Sequence, residues 1–289
     1  VLGLATRDAY GQVLVELGKE NPNVVVMDGD LAASTKTKAF SKQFPDRFFN
    51  VGIAEANLVG LAGGLAHSGK IPFISSFSCF LVCKGYDQLR MAVAVPHLNV
   101  KVVTSHGGIS VGEDGISQQS IEDVALMTSL PGFTVAIPAD EHSARVLVRQ
   151  AAGKNGPVYL RTGRPKAPLI YTQDSKWPLT KGMTLGNGTT LCIGKDVTLV
   201  ANGLLVFEAL VAAERLEKLG ISATVIDMHT IKPLDEALLK KAAVSTGAVV
   251  TAEAGNTPAQ MPSLGRFLWI RGWDSNPPNG STVRSSTSR

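Results

Sequence analysis

The sequence has little cysteine, no long apolar run and no basic stripe, and each shortage removes a class of function. Three cysteines in 289 residues cannot build a disulfide framework. Cys79 and Cys83 fall one turn apart on a helical pattern with no His or Cys at metal-ligand spacing, so both, like Cys192, read as small core or surface residues. No stretch approaches the ~20 apolar residues of a membrane span, and the first 20 residues lack the zones of a signal peptide, which makes the cytoplasm the expected location and a membrane partner unexpected. The formal charge is +4, but residues 254–289 carry Arg266, Arg271, Arg284 and Arg289 against Asp274 alone, which is +3 of it. The nearly neutral remainder offers no surface for counterion release, so no nucleic-acid partner is expected. Phosphate loops are missing too: "GLAGGLAHSG" does not fit G-x-G-x-x-G, and no G-x-x-x-x-G-K-[ST] occurs.

What is present is alternation. With 44% hydrophobic and 18% charged residues, the chain can bury one or two cores. "VVVMD" (24–28), "IPFISSF" (71–77), "VKVVTS" (100–105), "TVAIPA" (134–139) and "VYLRT" (158–162) read as short buried strands. Between them, "TRDAYGQVLVELGKEN", the segment after Glu55, "YDQLRMAVAV", "SIEDVALMTSL" and "DEHSARVLVRQAAG" carry helical spacing and start signals. A Pro-, Gly- and Lys-rich passage interrupts this rhythm. It then resumes with "DVTLVANG", a helix over 204–219, "ISATVIDMHTI", "PLDEALLKKAAVSTG" and "AVVTAE". The expectation is an α/β protein of two doubly wound domains with mostly parallel sheets: 1–165, a linker over 166–195, and a smaller unit over 196–253. Residues 254–289 have no sustained period and end in Ser, Thr, Pro, Gly and Arg, so they are expected to be disordered or a non-native end.

Glu55 opens a helix rich in Gly and Ala. A carboxylate in a first turn complements the helix dipole, which is reason enough for most such glutamates. Here Leu58, Val59, Ala62 and Leu65 share its face at i+3, i+4, i+7 and i+10, so the acid enters an apolar interior and needs a proton or a partner. A second cluster, "SHGGISVGEDGISQQSIED" (105–123), follows a strand pattern, holds four glycines between Gly107 and Gly115, and carries His106, Glu113 and Asp114. Loops at strand ends are where α/β proteins place sites, although a solvated turn with charged tips has the same composition. Phe77 and Phe80 are spaced for a core. Arg7, Ser34, Arg161 and Arg164 are dispersed singly but together suit a phosphate clamp. In "MDGDL", Asp30 reads as the cap of a strand-to-helix turn rather than a metal ligand.

These motifs in this order, "ATRDAYG", "DGDLAAST", "NVGIAEAN", "VGEDGISQQSIED" and "DMHTIKPLDE", resemble the second half of transketolase: its pyrimidine-binding domain followed by its C-terminal domain, over about residues 5–253. The resemblance implies thiamine diphosphate as cofactor. By position, Glu55 would hydrogen-bond its pyrimidine ring, Phe80 would stack on that ring with Phe77 close by, and Asp30 would lie near it. His106, Arg7, Ser34 and Arg161 would bind the sugar-phosphate end, and Asp114 a hydroxyl beside the ketose carbonyl. Gln118 stands where many relatives have histidine, so a cationic role there is lost.

The family's Gly-Asp-Gly diphosphate and metal motif does not occur in these residues. The implied arrangement is a split transketolase, with Mg2+ or Ca2+ and the diphosphate held by a separate N-terminal subunit in an α2β2 assembly. This chain would supply no metal ligand and would be inactive alone. The C-terminal domain is expected to be incomplete. The competing readings are a 2-oxo acid dehydrogenase beta chain, half of a deoxyxylulose phosphate synthase, and a non-catalytic partner-binding fragment. "GEDGISQQ" with His106 eight residues before Asp114 favours a sugar over an oxo acid.

Overall fold

A computed structural model describes residues 1–172 and 182–254. The first unit runs β1 (Leu2–Ala5), α1 (Thr6–Glu20), β2 (Val24–Asp28), α2 (Ala32–Thr35), α3 (Lys38–Gln43), β3 (Phe48–Asn50), α4 (Glu55–His67), β4 (Ile71–Ser75) and α5 (Ser78–Gln88). It continues through β5 (Lys101–Thr104), α6 (Asp123–Ser129), β6 (Thr134–Ala136), α7 (Glu141–Gly153), β7 (Val158–Arg161) and β8 (Lys166–Pro168). The second comprises β9 (Thr189–Cys192), β10 (Val197–Ala201), α8 (Leu205–Glu217), β11 (Ala223–Asp227), β12 (Thr230–Lys232), α9 (Glu236–Thr246) and β13 (Val249–Ala252).

The strands form a seven-stranded sheet in the order β12-β6-β7-β5-β4-β2-β3, a four-stranded sheet β13-β10-β11-β9, and the pair β1-β8. Within the large sheet only β12 runs antiparallel, against β6. A two-fold side-chain period sorts the core. Val24, Val26 and Phe73 pack with Tyr10, Leu14 and Leu147 of α1 and α7. Met27 and Ile74 face the other way, toward Leu58, Val59, Leu81 and Val82 of α4 and α5. Each such aliphatic side chain contributes about 1.5–3 kcal/mol on burial.

The two mostly parallel α/β sheets agree with the fold expected from alternation, and four details depart from the sequence reading. The helix read over "YDQLRMAVAV" starts earlier, at Ser78, and passes into a π-helical turn at Leu89–Ala94. The run "ISATVIDMHTI" is two strands, because after Asp227 the chain crosses to the first sheet, where β12 pairs with β6. The span read as a linker, 166–195, includes β8, which pairs with β1, and β9, which joins the second sheet. Short β3 was missed because "FFN" gives no alternation to read. Residues 173–181 of that span and 255–289 of the expected tail lie outside the described residues.

Asp140 ties α7 to the segment that follows β8. Its Oδ1 caps α7 by accepting from the Ser143 N–H at 2.8 Å, while Oδ2 accepts from the N–H groups of Ile170 and Tyr171 at 2.9 and 3.0 Å. All of this is out of water. Asp140→Ala would lose the cap and strand two buried donors, so stability should fall by about 3 kcal/mol, read as a lowered urea midpoint. An unchanged midpoint would contradict this account of how residues 170 and 171 are held.

Candidate active site

The carboxyl ends of the central strands carry a buried polar floor. Ser78 Oγ donates to Thr104 Oγ1 at 2.8 Å, which donates to Tyr159 Oη at 2.8 Å, which donates to Asp123 Oδ2 at 2.6 Å. Arg161 Nε stands 3.1 Å from the same Asp123 oxygen. At the end of β2, Asp28 accepts from the Leu31 N–H and from the hydroxyls of Thr35 and Thr37, at 2.6, 2.6 and 2.8 Å. Asp28, not Asp30, therefore fixes the strand-to-helix turn. The exposed Asp30 adopts φ 67° and accepts from Asn50 instead. Burial pushes the Asp28 carboxyl upward against the three hydrogen bonds that oppose it.

Glu55 begins α4 and is 4% exposed. Helix α5 closes over it because Gly85 has no side chain: a Cβ there would lie 3.2 Å from Val59 and 3.5 Å from the Glu55 carbonyl oxygen. Lys84 Nζ lies 3.7 Å from Glu55 Oε2 and 4.7 Å from the centre of the Phe80 ring. Glu55 Oε1 is buried with no hydrogen-bond partner. Phe80 stacks with Phe77 at a centroid distance of 5.6 Å, and Phe77 stacks with His106 at 3.7 Å. A buried acceptor beside flat apolar rings fits a planar ligand bearing a hydrogen-bond donor, and the aminopyrimidine of thiamine diphosphate meets that description.

His106, only 2% exposed, adopts φ 62° and places Nδ1 2.6 Å from Ser105 Oγ. Its Nε2 lies 3.5 Å from both Arg7 Nη1 and Asp114 Oδ2. Burial, reinforced by the Arg7 guanidinium, lowers its pKa to about 4 despite Asp114. Arg7 Nη1 also donates to the Ser34 carbonyl at 3.0 Å, and Arg164 Nε lies 3.2 Å from Asp114 Oδ2. Arg7, the Ser34 carbonyl, His106 and Asp114 thus lie together in one cluster.

Arg161 does not join them. It is 4% exposed, committed to Asp123 and to the carbonyls of Ser120 and Ala254, and separated from the mouth by Gly107, where a Cβ would strike its Nε. Arg164 stands at the mouth in its stead. The Gln118 side chain accepts from Ser117 Oγ, and no contact links it to His106 or Asp114. Lys84, Asp28, Tyr159 and Asp123 escaped the sequence reading. Only Asp28, a carboxylate ending an apolar strand, carried a local signal. Among the described residues no group of three or more His, Cys, Asp or Glu could hold a metal, and no helix is long and apolar enough to cross a membrane.

The fold and this strand-end site define a two-unit α/β protein with a buried carboxylate beside stacked aromatic rings. The profile of the transketolase pyrimidine-binding domain matches residues 3–168, and that of the transketolase C-terminal domain matches residues 186–261. The chain belongs to the transketolase family. It is 46% identical to a transketolase C-terminal section of Methanocaldococcus jannaschii, over 86% of this chain and 76% of that protein. It is 43% identical to a 6-deoxy-6-sulfo-D-fructose transketolase subunit of a Clostridium species, over 86% and 75%. Among solved structures, a split-gene transketolase, an inactive beta4 tetramer, is 46% identical, with a TM-score of 0.79 over 93% of this chain and 87% of that one.

The low pKa of His106 has a measurable consequence. The folded ring refuses a proton that the unfolded chain accepts below pH 6.5. Stability should therefore fall as pH drops from about 6.5 to 4, by up to about 3 kcal/mol from this group. NMR titration should show no His106 protonation above about pH 5, and a midpoint near 6.5 would contradict the burial described.

Proposed function

We propose that this chain is the C-terminal subunit of a two-chain transketolase, transferring a two-carbon ketol unit from a ketose phosphate to an aldose phosphate with thiamine diphosphate. The observation that carries the proposal is Glu55, a buried carboxylate with one unpartnered oxygen beside the Phe77–Phe80 ring pair. Bound thiamine diphosphate supplies the electron sink that lets the carbon–carbon bond beside the carbonyl break and form again. Glu55 would hold a proton between its Oε1 and the pyrimidine ring, and Phe80 and Phe77 would give that ring an apolar face and keep water out. The apolar side of α4 strengthens this coupling by lowering the local dielectric. Asp30 is exposed on the same sheet end and would at most border the cofactor.

Toward the substrate, Arg7 and Arg164 flank His106 and Asp114 and would take the phosphate end, the planar guanidinium fork matching two oxygens. Asp114 would accept from a sugar hydroxyl. His106 works as a neutral imidazole: Arg7 at Nε2 suits an acceptor there, leaving an Nδ1–H to donate to Ser105 Oγ. The carboxyl end of the sheet carries no phosphate loop, and the coverage of split relatives supports a separate N-terminal subunit that would hold the diphosphate and Mg2+ or Ca2+, in an α2β2 complex.

The test is reconstitution with an N-terminal subunit, comparing xylulose 5-phosphate plus ribose 5-phosphate against pyruvate. Turnover of the sugars is expected; turnover of pyruvate alone would favour an oxo-acid enzyme. In the complex, Glu55→Gln should fold normally and lower kcat by at least about a hundredfold. Unchanged turnover would remove the cofactor role given to this acid and leave a partner-binding fragment. Arg164→Met should raise KM for sugar phosphates about tenfold or more with a smaller effect on kcat, since it removes binding common to ground and transition states. If KM is unaffected, the phosphate lies elsewhere.

A further inference from the structure

The turn after β2 carries a cation beside the His106 cluster that has no role in it so far. Thr35 and Thr37 are buried and both donate to Asp28, which locks this turn onto the sheet. The residues between and before them turn toward α1. The Ser34 carbonyl accepts from Arg7, and Lys36 Nζ lies 3.1 Å from Asp8 Oδ1. The turn therefore meets α1 at two successive residues, Arg7 and Asp8, at the rim of the cluster.

Lys36 is held in a conformation that lysine seldom adopts. It ends α2 at φ 70° and ψ 11°, the left-handed region where glycine or asparagine is favoured. Its backbone rests directly on α1: a Cβ on Gly11 would fall 2.6 Å from both the Cβ and the carbonyl oxygen of Lys36. Within the chain this placement gains one ion pair, whose side chains are 35% and 31% exposed. Such half-solvated pairs contribute little. A fixed, strained backbone carrying a loosely held charge is the pattern of a ligand contact rather than of scaffolding.

Charge identifies the ligand. After burial, the charges of Arg7, Arg164 and Lys36 all lower the His106 pKa, so Lys36 stands near the imidazole. These three cations meet three carboxylates, Asp8, Glu113 and Asp114. Without Lys36 the rim would be net negative and would repel an anion. With it the rim is neutral, and an incoming dianion can take the place of Asp8 at the ammonium. A cleft of about 310 Å3 runs beside Lys36 between α1 and the α2–α3 segment, lined in part by Asp8, Gln12 and Lys38. That is far more than the ~15 Å3 a single water needs.

We propose that Lys36 is a specificity-determining residue of the ketol transfer, exchanging Asp8 for the phosphate of the sugar and so selecting substrates that end in a dianion. A phosphate monoester carries about −1.5 to −2 at neutral pH, enough to engage the ammonium together with the guanidinium groups of Arg7 and Arg164. The assignment rests on the transketolase reading and adds to it how the phosphorylated end is recognised.

In the reconstituted complex, Lys36→Met should raise KM for ribose 5-phosphate about tenfold, and the preference for ribose 5-phosphate over ribose, as a ratio of kcat/KM, should fall by a similar factor. Asp8→Asn should act in the opposite direction, lowering that KM about two- to fivefold, because it frees the ammonium. A purely structural ion pair predicts otherwise: both substitutions would lower the urea midpoint alike and neither would move the ratio. Should Lys36→Met fold poorly, Lys36→Gly decides, since glycine suits φ 70° and also removes the charge. An unchanged ratio in the Lys36 variants, or KM shifts of the same sign for Lys36→Met and Asp8→Asn, would overturn the assignment and leave the transketolase reading standing. If the unaltered complex turns over no sugar phosphate, it is that reading that fails. Calorimetric titration with ribose 5-phosphate then still tests the cation, and equal affinity in parent and Lys36 variants, or no binding at all, would overturn its role.

Discussion

Removing an ionised carboxylate from water costs several kcal/mol unless other groups replace its hydration. Glu55 is buried with one oxygen near Lys84 and the other near no donor. The surrounding structure makes that placement tolerable without satisfying it. The amino end of α4 supplies a favourable dipole, Gly85 lets α5 approach closely, and Lys84 supplies a counter-charge at 3.7 Å from a side chain that is 54% exposed. A counter-ion on a long, half-solvated stem is easily moved aside. A binding site needs this, because a fully satisfied carboxylate would gain nothing from a ligand.

The polar chain beneath the site has the opposite character. Ser78, Thr104, Tyr159 and Asp123 are all completely buried and joined by bonds of 2.6–2.8 Å. Burial holds the Tyr159 hydroxyl far above its ordinary pKa, so it remains a donor to Asp123. This floor gives β5, β7 and α6 one fixed relation and sets the base of the loop that carries His106 and Asp114. Rigid support below and an adjustable contact at Glu55 are the combination that preorganised sites require.

The parts of this architecture legible in the sequence were those encoded locally. Short continuous apolar runs gave the central strands, and the i+3, i+4, i+7 spacing after Glu55 placed that acid inside. His106 and Asp114 stood out because a glycine-rich loop followed a strand. Pairs distant in sequence were not legible: Tyr159 and Asp123 are 36 residues apart, and nothing near either announces the other. Arg161 and Arg164 show where a local signal existed and was passed over. Arg161 is the last residue of β7, in register with Thr104, so a strand reading already points it into packed structure. Arg164 lies beyond Gly163, where the strand has ended and a side chain reaches the mouth. In "DGD", by contrast, composition gives no means of choosing between the two acids, because the choice rests on φ 67° at Asp30.

Among the described residues, the second unit contributes no side chain to the Glu55 pocket, yet it is joined to the first by continuous structure. Strand β12 completes the edge of the large sheet, the Ile137 N–H donates to the His229 carbonyl at 2.8 Å, and Tyr171 Oη donates to Asp227 Oδ2 at 2.6 Å. Met228 and Ile231 belong to the same apolar cluster as Leu58 and Val59 of α4. The Ala254 carbonyl accepts from Arg161 at 3.1 Å, and Arg161 in turn packs against Gly107, the residue after His106. A displacement of the second unit would therefore reach the imidazole through Arg161 and one glycine. The smaller unit thus supports the loop of His106 from behind, through the Ala254 carbonyl and the buried Arg161.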